Sequence, residues 1–561
     1  MPTHALLMSI RAVALRALSS GQLATGYGRR GNQNVGLCVA CNRLMRTALA
    51  ATLLAILCAC GSLPTLQKRA PTNAGVASSS TVLAKIVMAS TPPGEHSGFR
   101  LMPLGVYSLD ARVQLARRAQ QSLAVQYYEF EDDGAGRLLM RALREAAGRG
   151  VQVRVLVDDM HTATSQQPLL ALSQTPNVEV RLYNPFCCGR SGVFSRFAAS
   201  PLEISRLNRR MHNKLFVADG VMAVIGGRNI ADEYFLLSEV QNFIDIDALV
   251  VGRVVPELEA VFDSFWNSDE VWPIAEIVKG EGGRRPTGED FDHWTDVSVP
   301  EPHIVLPSSD LLGYGPISEE FDDGRIGLVW GEAHTVADPP SKAHAMTAEE
   351  ALSTSVTMKV WRLIRDAVSE VALTSPYLVP GERGMEIIDD LTRQRVRVTL
   401  LTNSLAANDV PLVHTAYARY RRPLLTRGVE LYELSPGRTN ASLRFGVFGR
   451  SLGRLHAKLL TIDRRLVFIG SMNLDPRSAT QNTEIGVLVN SEELAREVLR
   501  VIDVSKAQNS YRLRLDATTG RLQWLTGEGE KQVILDTEPE TGFFQRLFIP
   551  LVGPFIPESL L

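Results

Sequence analysis

Cysteine is scarce in this 561-residue chain, and the six present are poorly placed for a structural role. Cys38, Cys41, Cys58 and Cys60 fall near the start, which leaves only the adjacent Cys187 and Cys188 in the body. Neighbours in sequence make a strained bridge, so two reduced thiols are expected and a disulfide scaffold is excluded. Cys38-x-x-Cys41 has no partner pair, so it does not read as a metal or redox motif. Acid is missing from one end: no Asp or Glu precedes Glu95. Long hydrophobic runs are missing too. The stretch from Ala48 to Ala59 falls short of the roughly 20 residues that a bilayer-spanning helix needs. Charge is balanced at a net of −2, so no bulk basic field advertises nucleic acid. That total does not speak for a local basic patch.

The acid-free end has its own logic. Met45-Arg46-Thr47 precedes the apolar stretch, and Leu57-Cys58-Ala59-Cys60-Gly61-Ser62 closes it. A positive start, a short apolar region and small residues make a secretory signal. The ending resembles a bacterial lipobox with Cys60 as the lipidated residue, although Cys58 is unusual at its position. A plain signal peptide and an uncleaved anchor remain alternatives, as do Met45 and Met1 for the true start. Residues 1–60 are thus expected as a leader, and 61–95, rich in Ser, Thr, Ala and Pro, as a flexible tether.

The body repeats itself. Ser122 to Tyr128 has a strand pattern, Gly136 to Arg149 a helical one, and Val151 to Val157 alternates and then turns wholly apolar. Val371 to Tyr377, Gly384 to Gln394 and Val396 to Leu401 repeat that plan, and Val178–Tyr183 and Val429–Leu434 add one more strand each. Alternation of strand and helix predicts α/β layers in two lobes, 96–280 and 351–510. Residues 281–350, dense in Pro, Gly, Asp and Glu, read as an inter-lobe connection with little regular structure. The apolar end, 511–561, reads as a tail.

Each copy carries the same motif. Met211-His212-Asn-Lys214-Leu-Phe-Val-Ala-Asp219 leads to Ile225-Gly226-Gly227-Arg-Asn229, and Leu455-His456-Ala-Lys458-Leu-Leu-Thr-Ile-Asp463 leads to Ile469-Gly470-Ser471-Met-Asn473. Matching residues are offset by a constant 244. His and Lys two apart on a strand project from one face. The Gly-Gly or Gly-Ser turn lets backbone approach a ligand, and Asn229 and Asn473 add donors. Two copies face to face would bring two His, two Lys and two Asn onto one anion, a phosphate site of donors and positive charge. Gly227 and Ser471 are expected beside that phosphate. The lysines argue against a metal site at the histidines, because a protonated amine repels a cation and cannot ligate it.

These residues resemble the signature H-x-K-x4-D-x6-G-[GS]-x-N of the phospholipase D superfamily, over roughly residues 100 to 505. The resemblance implies two α/β/α sandwich lobes around one shared active site, with no metal or other cofactor. It also implies a two-step phosphodiester transfer through a phosphohistidine. His212 is expected as the nucleophile and His456 as the acid and base, and the near symmetry leaves the reverse open. A downstream carboxylate should orient each ring: Asp245 for His212, with Asp247 as a rival, and Glu484 for His456. Asp219 and Asp463, the last members of the catalytic motif, look like structural anchors.

Lipid is the favoured substrate class. The expected anchor places the chain as a periplasm-facing lipoprotein on a bacterial membrane, and the aromatic, apolar tail from Phe543 to Leu561 could lie in the lipid interface. Arg181–Phe186, Thr402–His414 and Val336–Lys342 resemble bacterial cardiolipin synthases of the C type. That resemblance implies transfer of a phosphatidyl group, from phosphatidylglycerol or phosphatidylethanolamine, onto phosphatidylglycerol. His414 and Tyr417 are candidates for the acceptor side or for buried helix packing. A hydrolase using water is the first rival. A nuclease would need a basic groove with stacking aromatics, and no such stripe is evident, so nucleic acid is not expected as a partner. A non-catalytic lipid binder would not need both motifs intact.

Overall fold

The computed structural model describes residues 63–552, apart from 66–68, 76, 95, 281–282, 296–305, 344–345, 442–450 and 528–531. The expected leader with Cys60 and the last residues of the tail lie outside the described residues.

The two copies build matching sheets. In the first lobe, β1 (Ser97–Met102), β2 (Ser122–Tyr127), β3 (Gln152–Asp158), β4 (Val178–Tyr183), β5 (Leu215–Ala218), β6 (Met222–Gly226), β8 (Asp247–Gly252) and β9 (Val271–Pro273) form one sheet, and β7 (Gln241–Ile244) stands outside it. β2, β3 and β4 run parallel, and β5, β6 and β8 continue antiparallel from β2. The second lobe repeats this order. β11 (Glu370–Thr374), β12 (Arg397–Asn403) and β13 (Glu430–Leu434) are parallel, and β15 (Leu459–Ile462), β16 (Leu466–Gly470) and β17 (Ile485–Asn490) continue from β11.

Each parallel crossover is a helix, as parallel pairing requires. Gly134–Gly148 comes after β2, with Asp133 capping it by accepting the Gly136 amide at 3.0 Å. Its buried residues Leu138, Leu139, Ala142, Leu143 and Ala146 fall on one face at helical spacing. Gly381–Arg393 plays the same part after β11.

The stretch between the copies corrects the expectation of irregular structure. It contains the helices Gly288–Trp294 and Ile317–Asp322, and then β10 (Val329–Ala337). Val329 to Gly331 pair with β1, and Glu332 to Ala337 pair with β17. One strand therefore belongs to both lobes and joins their sheets. The expected tether is also partly ordered. Thr81 caps the helix Val82–Ser90, whose Leu83 and Ile86 are buried, while the indoles of Trp266 and Trp272 donate to Thr72 and to the Pro64 carbonyl. After residue 510 the chain adds β18 (Ser510–Leu515), β19 (Leu522–Thr526) and β20 (Val533–Leu535) to the second sheet, so the tail proper begins only at the helix Phe543–Val552. Cys187 and Cys188, expected as free thiols, are joined as a vicinal disulfide.

Among the described residues three large apolar cores result, beside smaller clusters. One lies under the helices of each lobe. The third is common: Phe99, Val217 and Val250 of the first copy meet Leu459, Val487 and Val498 of the second. The lobes are thus welded face to face, which fixes how the two motifs oppose each other.

Candidate active site

His212 and Lys214 sit in an extended lead-in just before β5, rather than inside it as the pattern suggested. His456 and Lys458 occupy the same place between β14 (Leu452–Leu455) and β15. Both lead-ins pair with the other lobe. β14 runs parallel to β7, with Leu455 opposite Ile244, and Met211 bridges to Thr483. The His212 amide donates to the Thr483 carbonyl at 2.9 Å, and the His456 amide to the Ile244 carbonyl at 2.8 Å.

This pairing crosses the expected carboxylates. The residue after Ile244 is Asp245, so it meets His456: its Oδ2 lies 2.6 Å from His456 Nδ1. The residue after Thr483 is Glu484, whose Oε2 lies 3.0 Å from His212 Nδ1. Asp245 therefore serves His456 and Glu484 serves His212, the reverse of the order along the chain. The rival Asp247 is engaged elsewhere, accepting from Ser108 Oγ at 2.5 Å and Arg112 Nη2 at 2.9 Å.

Gly227 and Ser471, expected beside the phosphate, lie against these carboxylates. A Cβ on Gly227 would come within 2.3 Å of Asp245 Oδ1, so glycine makes the room. Ser471 Oγ donates to Glu484 Oε2 at 2.5 Å, and Ser478 Oγ to Glu484 Oε1 at 2.8 Å. Asp219 and Asp463 hold backbone at the far end of each motif strand. Asp219 accepts the amides of Gln120, Gln121 and Ser122, and Asp463 those of Val368, Ser369 and Glu370. Both adopt positive φ, 52° and 53°. Neither lines the cavity where the histidines meet.

That cavity has a volume of about 490 Å³ and is lined by His212, His456, Asn229 and Asn473 from the two motifs. The lysines lie beneath. Lys214 Nζ donates to the His212 carbonyl at 2.8 Å and Lys458 Nζ to the His456 carbonyl at 2.5 Å. Tyr128 contacts the His212 ring edge-on, while Tyr234 and Phe243 flank His456. Asn229 Nδ2 is already committed to Tyr234 Oη at 2.8 Å and Glu129 Oε2 at 3.1 Å, which leaves its buried Oδ1 without a partner. Asn473 Oδ1 is also buried and unpartnered.

Burial sets the charges. It pushes Lys214 down to about 7 and Lys458 down to about 8. Burial, with the nearby lysines second, holds His212 well below the ordinary imidazole range and His456 at about 4. The carboxylates differ. Burial raises Glu484 to about 7, with Lys214 opposing. Burial also acts on Asp245, but His456 and Lys458 outweigh it and hold it at about 2. Asp245 is thus ionised and can only accept, so His456 Nδ1 carries the hydrogen and Lys458, 3.0 Å from the same nitrogen, does not donate to it.

Sequence reasoning missed Tyr128, Glu129, His161, Glu233, Tyr234, Tyr377, Asp409 and Arg477, all of which line the cavity. Some of this was findable. Glu129 lies just beyond β2, and Glu233 and Arg477 stand four residues past the motif asparagines, again 244 apart. His414 and Tyr417 do not line the cavity. They sit behind Val413 in a buried network, with His414 Nε2 at 2.9 Å from Arg421 Nη2 and Tyr417 Oη donating to Glu433. Glu129, Glu131 and His161 bring ligand atoms within 4.8 Å of one another, a trio able to hold a metal ion, though each already has a hydrogen-bond partner.

Two opposed histidines, each backed by a carboxylate over a buried lysine, between duplicated α/β lobes, define an enzyme of the phospholipase D type. A family described as "Cardiolipin synthase, PLD-like domain" matches residues 113–266 and 360–504, and the chain belongs to it. Cardiolipin synthase C of Escherichia coli (strain K12) is 37% identical over 489 residues, covering 85% of this chain and 99% of that protein. Cardiolipin synthase 1 of Staphylococcus aureus (strain COL) is 26% identical over 70% of this chain and 64% of its own length. Among solved structures, phosphatidylserine synthase of Haemophilus influenzae Rd KW20 shares the fold, with a TM-score of 0.51 and 13% identity over 82% of this chain and 94% of that one.

Proposed function

We propose that this protein is a phosphatidyltransferase that makes cardiolipin, moving a phosphatidyl group from phosphatidylglycerol or phosphatidylethanolamine onto phosphatidylglycerol through a phosphohistidine. The relation to cardiolipin synthase C over nearly its whole length supports the reaction. The observation that carries the mechanism is the crossed and unequal pairing of the histidines. Ionised Asp245 at 2.6 Å favours an imidazolium at His456 once an anion is bound, which suits the acid. Glu484, raised by burial, gives His212 less such support, so its ring stays neutral and nucleophilic.

In the first step His212 Nε2 bonds to phosphorus as the bond to the donor headgroup oxygen breaks, and His456 gives that oxygen its Nε2 proton. In the second step the acceptor hydroxyl loses its proton to His456 and its oxygen bonds to phosphorus as the P–N bond breaks. Lys214 and Lys458 supply positive charge under the phosphate. A lipid substrate also fits the surface. Val410 and Leu412 at the cavity mouth are 39% and 46% exposed, and Phe543 and Phe544 on the terminal helix are 67% and 78% exposed. Such side chains suit a membrane surface. Anchoring there through a lipid on Cys60 is part of this proposal. No helix among the described residues is long and apolar enough to cross a membrane.

The test uses purified protein, phosphatidylglycerol vesicles with and without phosphatidylethanolamine, and EDTA throughout. Cardiolipin from the wild type and none from His212→Ala or His456→Ala is the expected result. Phosphatidic acid alone would replace transferase by hydrolase.

A further inference from the structure

The two half-sites match at the histidines and part company one layer out. Residues 244 apart occupy equivalent places, so Glu233 in the first lobe corresponds to Arg477 in the second. The bridges Phe130 to Ile230 and Leu378 to Leu474 likewise make Glu129 the counterpart of Tyr377. All four line the cavity. The first-lobe wall therefore offers two carboxylates where the second offers a guanidinium and a phenol. The second wall also has acids, Asp409 and Asp475, and like Glu129 and Glu233 they are engaged: Asp409 accepts from Tyr377 Oη at 2.8 Å, and Asp475 caps a helix by accepting the Ser478 amide at 2.7 Å.

Among the described residues that line the cavity, Arg477 is the only lysine or arginine. Its guanidinium donates to Asn208 Oδ1 at 2.9 Å and the Asn208 carbonyl at 2.7 Å, both uncharged acceptors. Among the described residues no carboxylate forms an ion pair with it. A half-buried cation held in place by neutral groups and facing a reaction cavity is prepared for an anion that comes and goes.

We propose that Arg477 binds the phosphate of the acceptor lipid and so directs the phosphohistidine toward a lipid rather than toward water. The inference rests on the phosphatidyltransferase reading. An acceptor phosphatidylglycerol brings a phosphodiester of its own, on the far carbon of the glycerol whose hydroxyl attacks. When that oxygen bonds to phosphorus, the P–N bond to His212 breaks and His456 takes the proton, two phosphates sit on one glycerol. The lysines lie under the first. The second needs another cation in a site where charge is poorly screened. Glu129 and Glu233, which accept from Asn229 and Gln241, offer it no cation on the first-lobe wall, and Arg477 receives it on the other. Water needs no such group.

The test is a partition experiment, because both acceptors then draw on one intermediate. Full-length protein acts on phosphatidylglycerol vesicles in the presence of ethanol, an acceptor without phosphate, and cardiolipin and phosphatidylethanol are counted together. For Arg477→Gln the ratio of cardiolipin to phosphatidylethanol should fall at least tenfold, with phosphatidylethanol falling less than threefold. Arg477→Lys should keep the ratio within threefold of wild type. Asn208→Ala, which removes the side-chain acceptor and leaves the guanidinium, should also keep it. An unchanged ratio in Arg477→Gln, or an equal loss of both products, would overturn the proposal. Phosphatidylethanol without cardiolipin from the wild type itself would instead remove the lipid-acceptor reading, whatever the variants do.

Discussion

His456 and Asp245 form a pair whose charge state is set by the groups around it. Burial and Lys458 hold the imidazole at about 4, although Asp245 beside it is ionised. A phosphate-like anion between the histidines would offset the lysines and favour the imidazolium, so the His456 value must rise on binding. That fixes the sign of the proton exchange. At pH 6 the free site is neutral at His456, and binding inorganic vanadate takes up a proton. Titration calorimetry in two buffers of different ionisation heat measures this uptake. Asp245→Asn should abolish most of it, and should slow phosphatidyl transfer by about 10²–10⁴-fold, the range for losing an acid or its orienting carboxylate. Uptake that persists undiminished in Asp245→Asn would assign the proton to another group. The same shift bears on stability. The unfolded chain holds the His456 proton up to about 6.5 while the folded chain releases it near 4, so this residue lowers stability below that window and the loss is relieved as pH rises through it.

At the scale of elements, β10 and the turn after it determine where Glu484 stands. Asp338, just past the strand, accepts the Glu484 amide at 2.9 Å and the Val356 amide at 2.9 Å. Lys342 neutralises it at 2.8 Å, both side chains being fully buried, and also donates to the Ser478 carbonyl. Lys342→Met would leave the Asp338 carboxyl without its counter-charge in the interior, at a cost of about 3–5 kcal/mol. Denaturant unfolding should show that loss; a change below about 1 kcal/mol would mean that the turn relaxes and water reaches Asp338.

This element also marks the limit of the sequence. β2 to β4 and β11 to β13 were legible because apolar alternation and the helices between them are local signals. The His-Lys motifs were legible because they recur at one offset. β10 was not, since only Val329 is buried among its half-exposed residues and its stretch is full of Pro, Gly and acid. The two carboxylates were identified, but not their partners. That choice depends on Leu455 lying opposite Ile244 and Met211 opposite Thr483, contacts between segments more than two hundred residues apart that no local pattern encodes.

For the whole molecule, crossing the carboxylates makes each half-site a composite. The first lobe supplies His212 but takes Glu484 from the second, and the second supplies His456 but takes Asp245 from the first. Neither lobe alone contains a histidine with its carboxylate. The lobes also cannot part cheaply, because β10 pairs with both sheets and the central apolar core draws on both copies. Separating them would expose that core and break a shared strand, so they should unfold together and should not trade places between chains. Mixing His212→Ala with His456→Ala tests this directly. In a chain that keeps its own two lobes, every cavity in the mixture lacks one histidine, and cardiolipin synthesis should stay at the level of the separate mutants. Were the lobes to swap between chains, a quarter to a half of the cavities would regain both histidines, and activity would return after co-refolding to about that fraction of wild type. Recovery of that size would show that the weld between the lobes is weaker than its buried core and shared strand imply.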